Sequence, residues 1–165
     1  MKGLSTTTHR ASRWKAQHWE HAMLVKHILE EKGREVVSVS GTVSLAEAAR
    51  VLALRHIGAV VVHDGKDQVA GILSERDIVT AIAARSVQAL ADTVEAHMTR
   101  RVTTCREGDS AEDIMEVMTR KRFRHVPVVE GGKLVGIISI GDVVKTRIAE
   151  TIKEAESLRT YLAAG

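Results

Sequence analysis

Two segments of the sequence carry the same polar pair, a serine followed three residues later by an aspartate. GILSERDIV supplies Ser74 and Asp77, and GIISIGDVV supplies Ser139 and Asp142, so the two pairs lie 65 residues apart. In each segment a glycine and an apolar run precede the serine, which is typical of a buried strand that leads into a helix. A serine at a helix start with an acidic residue three positions later forms a capping box, and capping alone explains the pair.

The same pair could also bind a ligand. The first turn of a helix presents free N–H groups and the positive end of the helix dipole. A carboxylate in that turn can accept two hydrogen bonds from a ribose diol, and the neighbouring hydroxyl can bond to the sugar or to a phosphate. Because capping and binding use one geometry, the spacing leaves both functions open.

The elements that would position these pairs are predicted twice, as strand, helix, strand, strand and helix. A helix that Gly33 terminates precedes the first set, and Thr42 or Ser44 is expected to cap the helix that follows the first strand. The predicted strands are residues 35–39, 58–64, 68–74, 101–105, 125–132 with a turn, and 133–139, and the predicted helices are 42–56, 75–86, 110–122 and 141–162.

These elements predict an α+β fold built from two repeated units. One unit has too few strands to cover both faces of its own sheet, so we expect the two units to bury those faces against each other. The expected organisation is a flexible arm at 1–22, a first unit with a preceding helix at 23–88, a linker helix at 89–98, and a second unit with an extended C-terminal helix at 99–165.

Composition narrows the class of protein. The chain has 165 residues, 44% of them apolar, which suffices for one domain or two small ones. No apolar run approaches the ~18 residues that span a membrane, and the polar N-terminus lacks the apolar core of a secretory signal. A single cysteine excludes an intrachain disulfide and fits a reducing compartment, so we expect a cytoplasmic protein. A net charge of +3 and an aromatic content of 2% argue against a nucleic-acid partner.

Other reactive side chains have simpler explanations. His9, His18 and His21 lie in the N-terminal arm without a fourth ligand at zinc-type spacing, so no metal site is predicted. Cys105 and His125 lack a third group that would orient them for catalysis, and a small buried residue is the better interpretation of Cys105. The sequence has no paired carboxylates at catalytic spacing and no glycine-rich phosphate loop. We therefore predict no catalytic cofactor and a protein that is not an enzyme.

The two copies resemble a tandem pair of CBS domains, the module named after cystathionine β-synthase, of the stand-alone prokaryotic type. The resemblance covers residues 23–150 and rests on GILSERDI and GIISIGDV together with RHIGAVVV and RFRHVPVVE. It implies two β-α-β-β-α units packed about a pseudo-twofold axis, usually paired into a flat dimer. It also implies that the cleft between the units binds an adenine nucleotide such as AMP, ADP or ATP, and in some members NAD(H) or a derivative of S-adenosylmethionine.

The resemblance assigns residues to a cleft around the second phrase. Asp142 is expected to hold the ribose, and Ser139 is expected to contact the ribose or a phosphate. Arg124 and His125 take the basic positions that hold phosphate, a role that suits the guanidinium fork of arginine. The wall against the adenine is expected from Val36, Ile57, Gly58 and Ile137.

A matching cleft is expected around the first phrase. There Asp77 is expected to hold the ribose, with Ser74 assisting and Arg76 reaching a phosphate. The other side of this cleft is expected from Thr99, Val102, Arg122 and Phe123.

The halves differ in one segment that bears on binding. Where the second unit has Arg124-His125-Val126-Pro127, the first unit is expected to have Ile57-Gly58-Ala59-Val60, without the basic pair or the proline. We therefore expect unequal clefts, with a nucleotide in at least one of them and the Asp142 cleft favoured.

The function implied by the resemblance is a sensor of adenine nucleotides that signals to a protein partner in trans. Two alternatives stay open, namely a dimerisation scaffold with vestigial clefts and a regulator associated with nucleic acid through Arg120, Lys121, Arg122 and Arg124. The last helix carries apolar residues at helical spacing that, with the first helix, predict a homodimer contact, although packing on its own sheet would also explain them. These residues are Val144, Ile148, Ile152, Ala155 and Leu162.

Overall fold

The computed structural model describes residues 23–65 and 68–163, so the expected N-terminal arm lies outside the described residues. Twelve elements follow one another in the described chain. They are α1 (Val25–Lys32), β1 (Ser38–Ser40), α2 (Leu45–Arg55), β2 (Ala59–His63), β3 (Val69–Ser74), α3 (Glu75–Arg85), a 3₁₀ helix (Ser86–Ala91), α4 (Val94–His97), α5 (Ala111–Lys121), β4 (His125–Glu130), β5 (Lys133–Ser139) and α6 (Ile140–Ala163).

Most predicted elements are present close to their predicted bounds, and the fold is α+β as expected. Gly33 ends α1, and Ser44 caps α2 by accepting a hydrogen bond from the backbone N–H of Glu47 at 3.2 Å. Helices such as α2 and α5 have one buried face and therefore a clear hydrophobic period, whereas β2 is buried on both faces and is marked by a continuous apolar run.

Two strand predictions were wrong. The strand predicted at residues 35–39 is shifted and spans only Ser38–Ser40, because its pairing with β2 begins at Ser38, opposite Val61. Residues 101–105 hold no strand, although Cys105 makes a single bridge to Val128. Both segments are rich in β-branched residues, but a strand also needs a partner in register along its whole length, and residues 101–104 have none.

The strands form two separate sheets with matching hairpins. In the first sheet, of order β1-β2-β3, β1 is parallel to β2 and β2 is antiparallel to β3, while β4 and β5 form an antiparallel pair. Ala59 pairs with Ser74 in the first hairpin, and His125 pairs with Ser139 in the second. The position equivalent to His125 is therefore Ala59 rather than Gly58, and the sequence alignment of the two halves was off by one residue.

Each unit has its own hydrophobic core, and each core is completed by a segment from elsewhere in the chain. Helix α1 precedes the first unit in sequence, but its buried Val25, Ile28 and Leu29 belong to the core of the second unit. In return Val94 and Met98, which precede the second unit, pack into the core of the first. Burying one such side chain stabilises the fold by roughly 1.5–3 kcal/mol, so this exchange ties the two units together.

The glycine of each repeated phrase allows these exchanged segments to approach the sheet. A Cβ at Gly136 would lie 2.7 Å from Leu29 Cδ2, and a Cβ at Gly71 would lie 2.5 Å from Met98 Sδ. Any larger residue would therefore force the segment away from the strand. The glycine recurs because close packing requires it at both places.

Helix α6 leaves the core after its first turns. Val143 and Thr146 are buried, whereas Ile148, Ile152 and Leu162 are more than half exposed. Packing against its own sheet, the alternative left open for this apolar stripe, therefore does not account for its C-terminal part.

Candidate functional site: two clefts between the units

Both serine–aspartate pairs form complete capping boxes. Ser74 N–H donates to Asp77 Oδ2 at 2.7 Å, and Asp77 N–H donates to Ser74 Oγ at 3.4 Å. Ser139 and Asp142 repeat these bonds at 2.7 and 3.2 Å. In both pairs the serine N–H and hydroxyl donate to Oδ2, so the Oδ1 atoms are not used by the cap itself. The capping interpretation is confirmed, and it leaves each carboxylate with an oxygen for a ligand.

The first cleft lies between the end of β3 and the segments that enter and leave α5. Its volume is about 300 Å³, and both units line it. The structure brings together here all seven residues that the sequence assigned to the first phrase, namely Ser74, Arg76, Asp77, Thr99, Val102, Arg122 and Phe123.

This cleft is strongly basic. Five cationic side chains line it against the single carboxylate of Asp77. The sequence analysis did not assign Arg101 or Lys121 to a cleft and assigned Arg124 to the other one. The basic run that ends α5 was the signal that could have placed Lys121 and Arg124 here. The cations are Arg76, Arg101, Lys121, Arg122 and Arg124.

Two hydrogen bonds connect the basic residues to both sides of the cleft. Arg76 Nη1 donates to the carbonyl of Arg122 at 3.2 Å, which links the start of α3 to the end of α5. Lys121 Nζ donates to Thr103 Oγ1 at 3.5 Å. Arg122 adopts a left-handed backbone, with φ of 59°, as the residue that ends α5. The end of α5 and these two hydrogen bonds thus position the basic residues.

The second cleft contains the other phrase and has a volume of about 450 Å³. Of the residues that the sequence assigned to it, Ile57, His125, Ile137, Ser139 and Asp142 line it. Three do not. Gly58 and Arg124 line the first cleft, and Val36 lines a separate depression with Arg34 and Lys133.

The reason for the misplaced Val36 is the alternation of side chains along an extended chain. Neighbouring residues point to opposite faces, so Val37 faces the second cleft where Val36 was expected. An error of one residue in the alignment moves every side chain to the other face. Arg124 stands one position before His125, and its side chain lines only the first cleft.

Charges in the second cleft pair with one another. Lys32 Nζ lies 2.6 Å from Asp142 Oδ2, and Arg55 pairs with Glu35. Burial raises the pKa of the Asp142 carboxyl, but the hydrogen bonds from Lys32 and Ser139 and the charge of Lys32 together lower it by more, so the pKa lies below its ordinary value. Asp142 is therefore ionised and partnered at neutral pH.

His125 forms a wall shared by the two clefts. Its ring lines both of them, as Ala59 does from the equivalent position of the first unit. Burial lowers the pKa of His125, and the nearby charges of Arg124 and Lys32 lower it further. The imidazole is therefore neutral at pH 7, and the fixed positive charge of the first cleft comes from its arginines and lysine.

Candidate chemistry outside the clefts is limited. Cys105 is buried, and burial together with Asp109 and Glu130 raises the pKa of its thiol to about 12, so it is a poor nucleophile. Within residues 23–65 and 68–163, no group of three or more potential metal ligands is found, and His9, His18 and His21 lie outside that part. None of the described helices is long and apolar enough to cross a membrane.

Comparison with known proteins identifies the repeated unit. The profile of the CBS domain matches twice, at residues 25–84 and 93–149. The chain belongs to the CBS domain family. The two matched segments contain the two serine–aspartate phrases, one in each copy.

Solved CBS proteins share the fold of this CBS pair. A CBS-domain-containing protein from Agrobacterium tumefaciens is 50% identical and aligns with a TM-score of 0.75, covering 76% of this chain and 99% of its own. The CBS domain pair of protein MJ0100, solved in complex with 5′-methylthioadenosine and S-adenosyl-L-methionine, is 27% identical with a TM-score of 0.70, covering 78% of this chain and 98% of its own.

Curated relatives include longer proteins. A 17.7 kDa protein of Acidianus ambivalens is 37% identical over 112 residues, which are 67% of this chain and 66% of the relative. A CBS domain-containing protein of Arabidopsis thaliana is 26% identical, and the match spans 79% of this chain but only 24% of the relative. The CBS pair is thus a module that larger chains also contain.

Proposed function

We propose that this CBS pair is a regulatory module that binds an adenine nucleotide in the first cleft. The observation that carries the proposal is the charge pattern of that cleft, in which one capped carboxylate faces five cations. A ribose diol donates hydrogen bonds and needs an acceptor, whereas phosphate oxygens need cations and N–H donors. The cleft offers both within about 300 Å³.

In this proposal the ligand is oriented by three kinds of contact. Asp77 accepts hydrogen bonds from the ribose, and Ser74 supports that carboxylate. The arginines and Lys121 hold the phosphate, with Arg124 now on this side. Ile72, Val102 and Phe123 supply the apolar surface against which the purine packs.

The size of the cleft favours a mononucleotide over NAD(H). Ligand pockets range over roughly 300–1,000 Å³, and the first cleft lies at the lower end of that range. A dinucleotide would have to extend beyond the lined volume. AMP, ADP, ATP and adenosine-containing sulfur compounds are therefore the expected ligands. The complex of the MJ0100 domain pair with 5′-methylthioadenosine and S-adenosyl-L-methionine supports an adenosine group in this family.

Signalling would follow from the position of the cleft between the units. Asp77 and Arg76 belong to the first unit, while Arg122 and Phe123 belong to the second, so a bound nucleotide bridges the two. A ligand shifts a conformational equilibrium by its differential affinity for the states, and bridging contacts exist only when the units are correctly apposed. We propose that a protein partner in trans senses this state and that the module itself is not an enzyme.

A homodimer is part of the proposal. The exposed apolar residues Val144, Ile148 and Ile152 follow one another at four-residue spacing on α6, which is the pattern of a helix that packs against a second helix. Light scattering after size-exclusion chromatography should give twice the mass of 18.0 kDa. A monomer with these residues intact would contradict the dimer without affecting the nucleotide proposal.

A thermal-shift screen tests the proposed ligand. The purified protein is heated with AMP, ADP, ATP, NAD⁺, S-adenosylmethionine or GTP. A ligand at one hundred times its Kd stabilises the folded state by about 2.7 kcal/mol, and we expect this for an adenine ligand but not for GTP. In Asp77→Asn the shift should largely disappear, whereas Asp142→Asn should retain it.

Three outcomes would count against the proposal. Equal shifts with GTP would exclude recognition of adenine. Retention of the full shift in Asp77→Asn with loss in Asp142→Asn would move the site to the second cleft. No shift with any ligand at millimolar concentration would favour a scaffold with vestigial clefts.

A further inference from the structure

The second cleft contains an internal cation at the place where the proposed function would put a sugar. Lys32 Nζ lies 2.6 Å from Asp142 Oδ2, the carboxylate equivalent to Asp77. The contact joins the last residue of α1 to the first turn of α6, which are 110 residues apart in sequence. Only 31% of the Lys32 side chain and 25% of the Asp142 side chain are exposed, so the pair is partly withdrawn from solvent.

Packing of α1 positions Lys32 at this carboxylate. Leu29, one turn before it, is 1% exposed and sits against Gly136 on β5. On either side, Glu31 binds Lys145 at 3.1 Å and Arg34 pairs with Glu107. The end of α1 is therefore fixed on both sides of Lys32, and this fixed position directs the ammonium group toward Asp142.

The first cleft has an equivalent cation that is placed differently. Arg101 follows Met98 by three residues, just as Lys32 follows Leu29, and Met98 and Leu29 occupy matching positions against the two glycines. However, α4 ends at His97, and the chain then extends so that Thr99 exchanges backbone hydrogen bonds with Ile72 at 2.9 and 3.0 Å.

The consequence is a carboxylate with a different set of partners. In the described part of the chain Asp77 has no ion pair, although Arg101 lines the same cleft. In the second cleft α1 stays helical from Leu29 through Lys32, and this places the Lys32 ammonium at Asp142. One extra helical turn separates the two arrangements.

We propose that Lys32 is a specificity-determining residue that neutralises the sugar-binding carboxylate of the second cleft by pairing with its Oδ2 atom, and that this keeps adenine nucleotides out. The proposal rests on the proposed function for the ligand class. A ribose at Asp142 would have to bind a carboxylate whose charge Lys32 already balances, and displacing Lys32 would leave its ammonium without a partner. The first cleft, with Asp77 open, then binds nucleotide alone.

Isothermal titration calorimetry of the full chain with AMP, and separately with ATP, tests this assignment. The wild type should bind one nucleotide per chain, at a site that Asp77→Asn removes. Lys32→Met, which keeps the apolar stem but removes the charge, should bind two. We expect the affinity of the second cleft to rise at least about tenfold, which brings it into the measurable range.

Two further variants identify the new site. Lys32→Met combined with Asp77→Asn should bind one nucleotide, and adding Asp142→Asn should remove it. Lys145→Met is the matched control, because Lys145 also ties α1 to α6 but does not touch Asp142. It should bind one nucleotide, as the wild type does. Circular dichroism should show that all variants are folded.

The results separate failure of this inference from failure of the proposed function. If Lys32→Met has the same stoichiometry as the wild type or binds more weakly, the inference is overturned whether or not the first cleft binds. If Lys145→Met also bound a second nucleotide per chain, the inference would be overturned, because loosening of α1 would then explain the extra binding. If only the Asp77-dependent site is missing, the proposed function of the first cleft fails.

Discussion

The two clefts share a phrase of sequence and a cap, yet they differ in the residues available to a ligand. In the first, Asp77 faces five cations and has no ion pair among the described residues. In the second, the carboxylate is bound by Lys32 and the nearby Arg55 is paired with Glu35. The lesson is that a repeated motif determines the local backbone, while its chemistry depends on which other segment packs beside it.

The packed segments differ because the units exchange them. Helix α1 completes the second unit, and the segment around α4 completes the first. The two segments are equivalent in position but differ in structure, since one contains an eight-residue helix and the other a four-residue helix. Their difference in length decides where the next cation falls.

The largest expected effect concerns this exchange. Leu29→Ala should lower the free energy of unfolding by about 2–5 kcal/mol, because a fully buried side chain is removed from the second core. Met98→Ala, the matched change at the half-buried equivalent in the first unit, should lower the free energy of unfolding by less. Urea denaturation followed by circular dichroism gives both values. If Met98→Ala proved the more damaging, the two segments would not play the roles described.

The second effect concerns the charge of the first cleft. Arg124→Gln should weaken binding of an anionic adenine nucleotide by about 10- to 100-fold, because a hydrogen bond to a charged group is worth about 1.5–3 kcal/mol. The matched variant is Arg55→Gln, which removes an arginine of the second cleft and should leave binding unchanged. Calorimetric titration measures both. A larger loss in Arg55→Gln than in Arg124→Gln would place the nucleotide in the second cleft.

The third effect uses Cys105 as a reporter of the second unit. Because the raised pKa of about 12 keeps the thiol protonated at neutral pH, and the side chain is buried, alkylation requires the unit to open. A nucleotide in the first cleft contacts Val102, three residues away, and should slow labelling by iodoacetamide by at least about fivefold at saturation. If labelling of Cys105 were fast in the native protein and unchanged by ligand, the segment around Cys105 would open independently of the cleft.

The smallest effect is the part of the pH dependence of stability that Asp142 contributes. The pKa of Asp142 is lower in the folded state than its ordinary value of ~3.9, so its contribution to stability is present above that value and is lost as the pH falls through the folded pKa. Asp142→Asn should cost about 1 kcal/mol at pH 7, because the pair is partly exposed. The difference from wild type should vanish near pH 2. A constant difference across this range would show that the carboxylate acts through its shape and not its charge.

Sequence alone determined the repeat, the α+β class, the capped helices and the family. The repeat, the fold class and the caps follow from local physics, since hydrophobic period, β-branched runs and capping boxes act over a few residues. The family was indicated by the resemblance of the repeated phrases to CBS domains. The resemblance to CBS domains also assigned seven residues to the first cleft, and the structure brings all seven together there. The prediction of unequal clefts, with the Asp142 cleft favoured, rested on the absence of a basic pair from the first half, and it stays a prediction.

Tertiary structure decided which residues line each cleft. It shifted the alignment of the halves by one residue, exchanged Val37 for Val36, and moved Arg124 and Gly58 to the first cleft. It also brought Lys32 to Asp142 across 110 residues of sequence. Such contacts depend on how separate helices and sheets pack, and no local pattern in the chain encodes the distance between them.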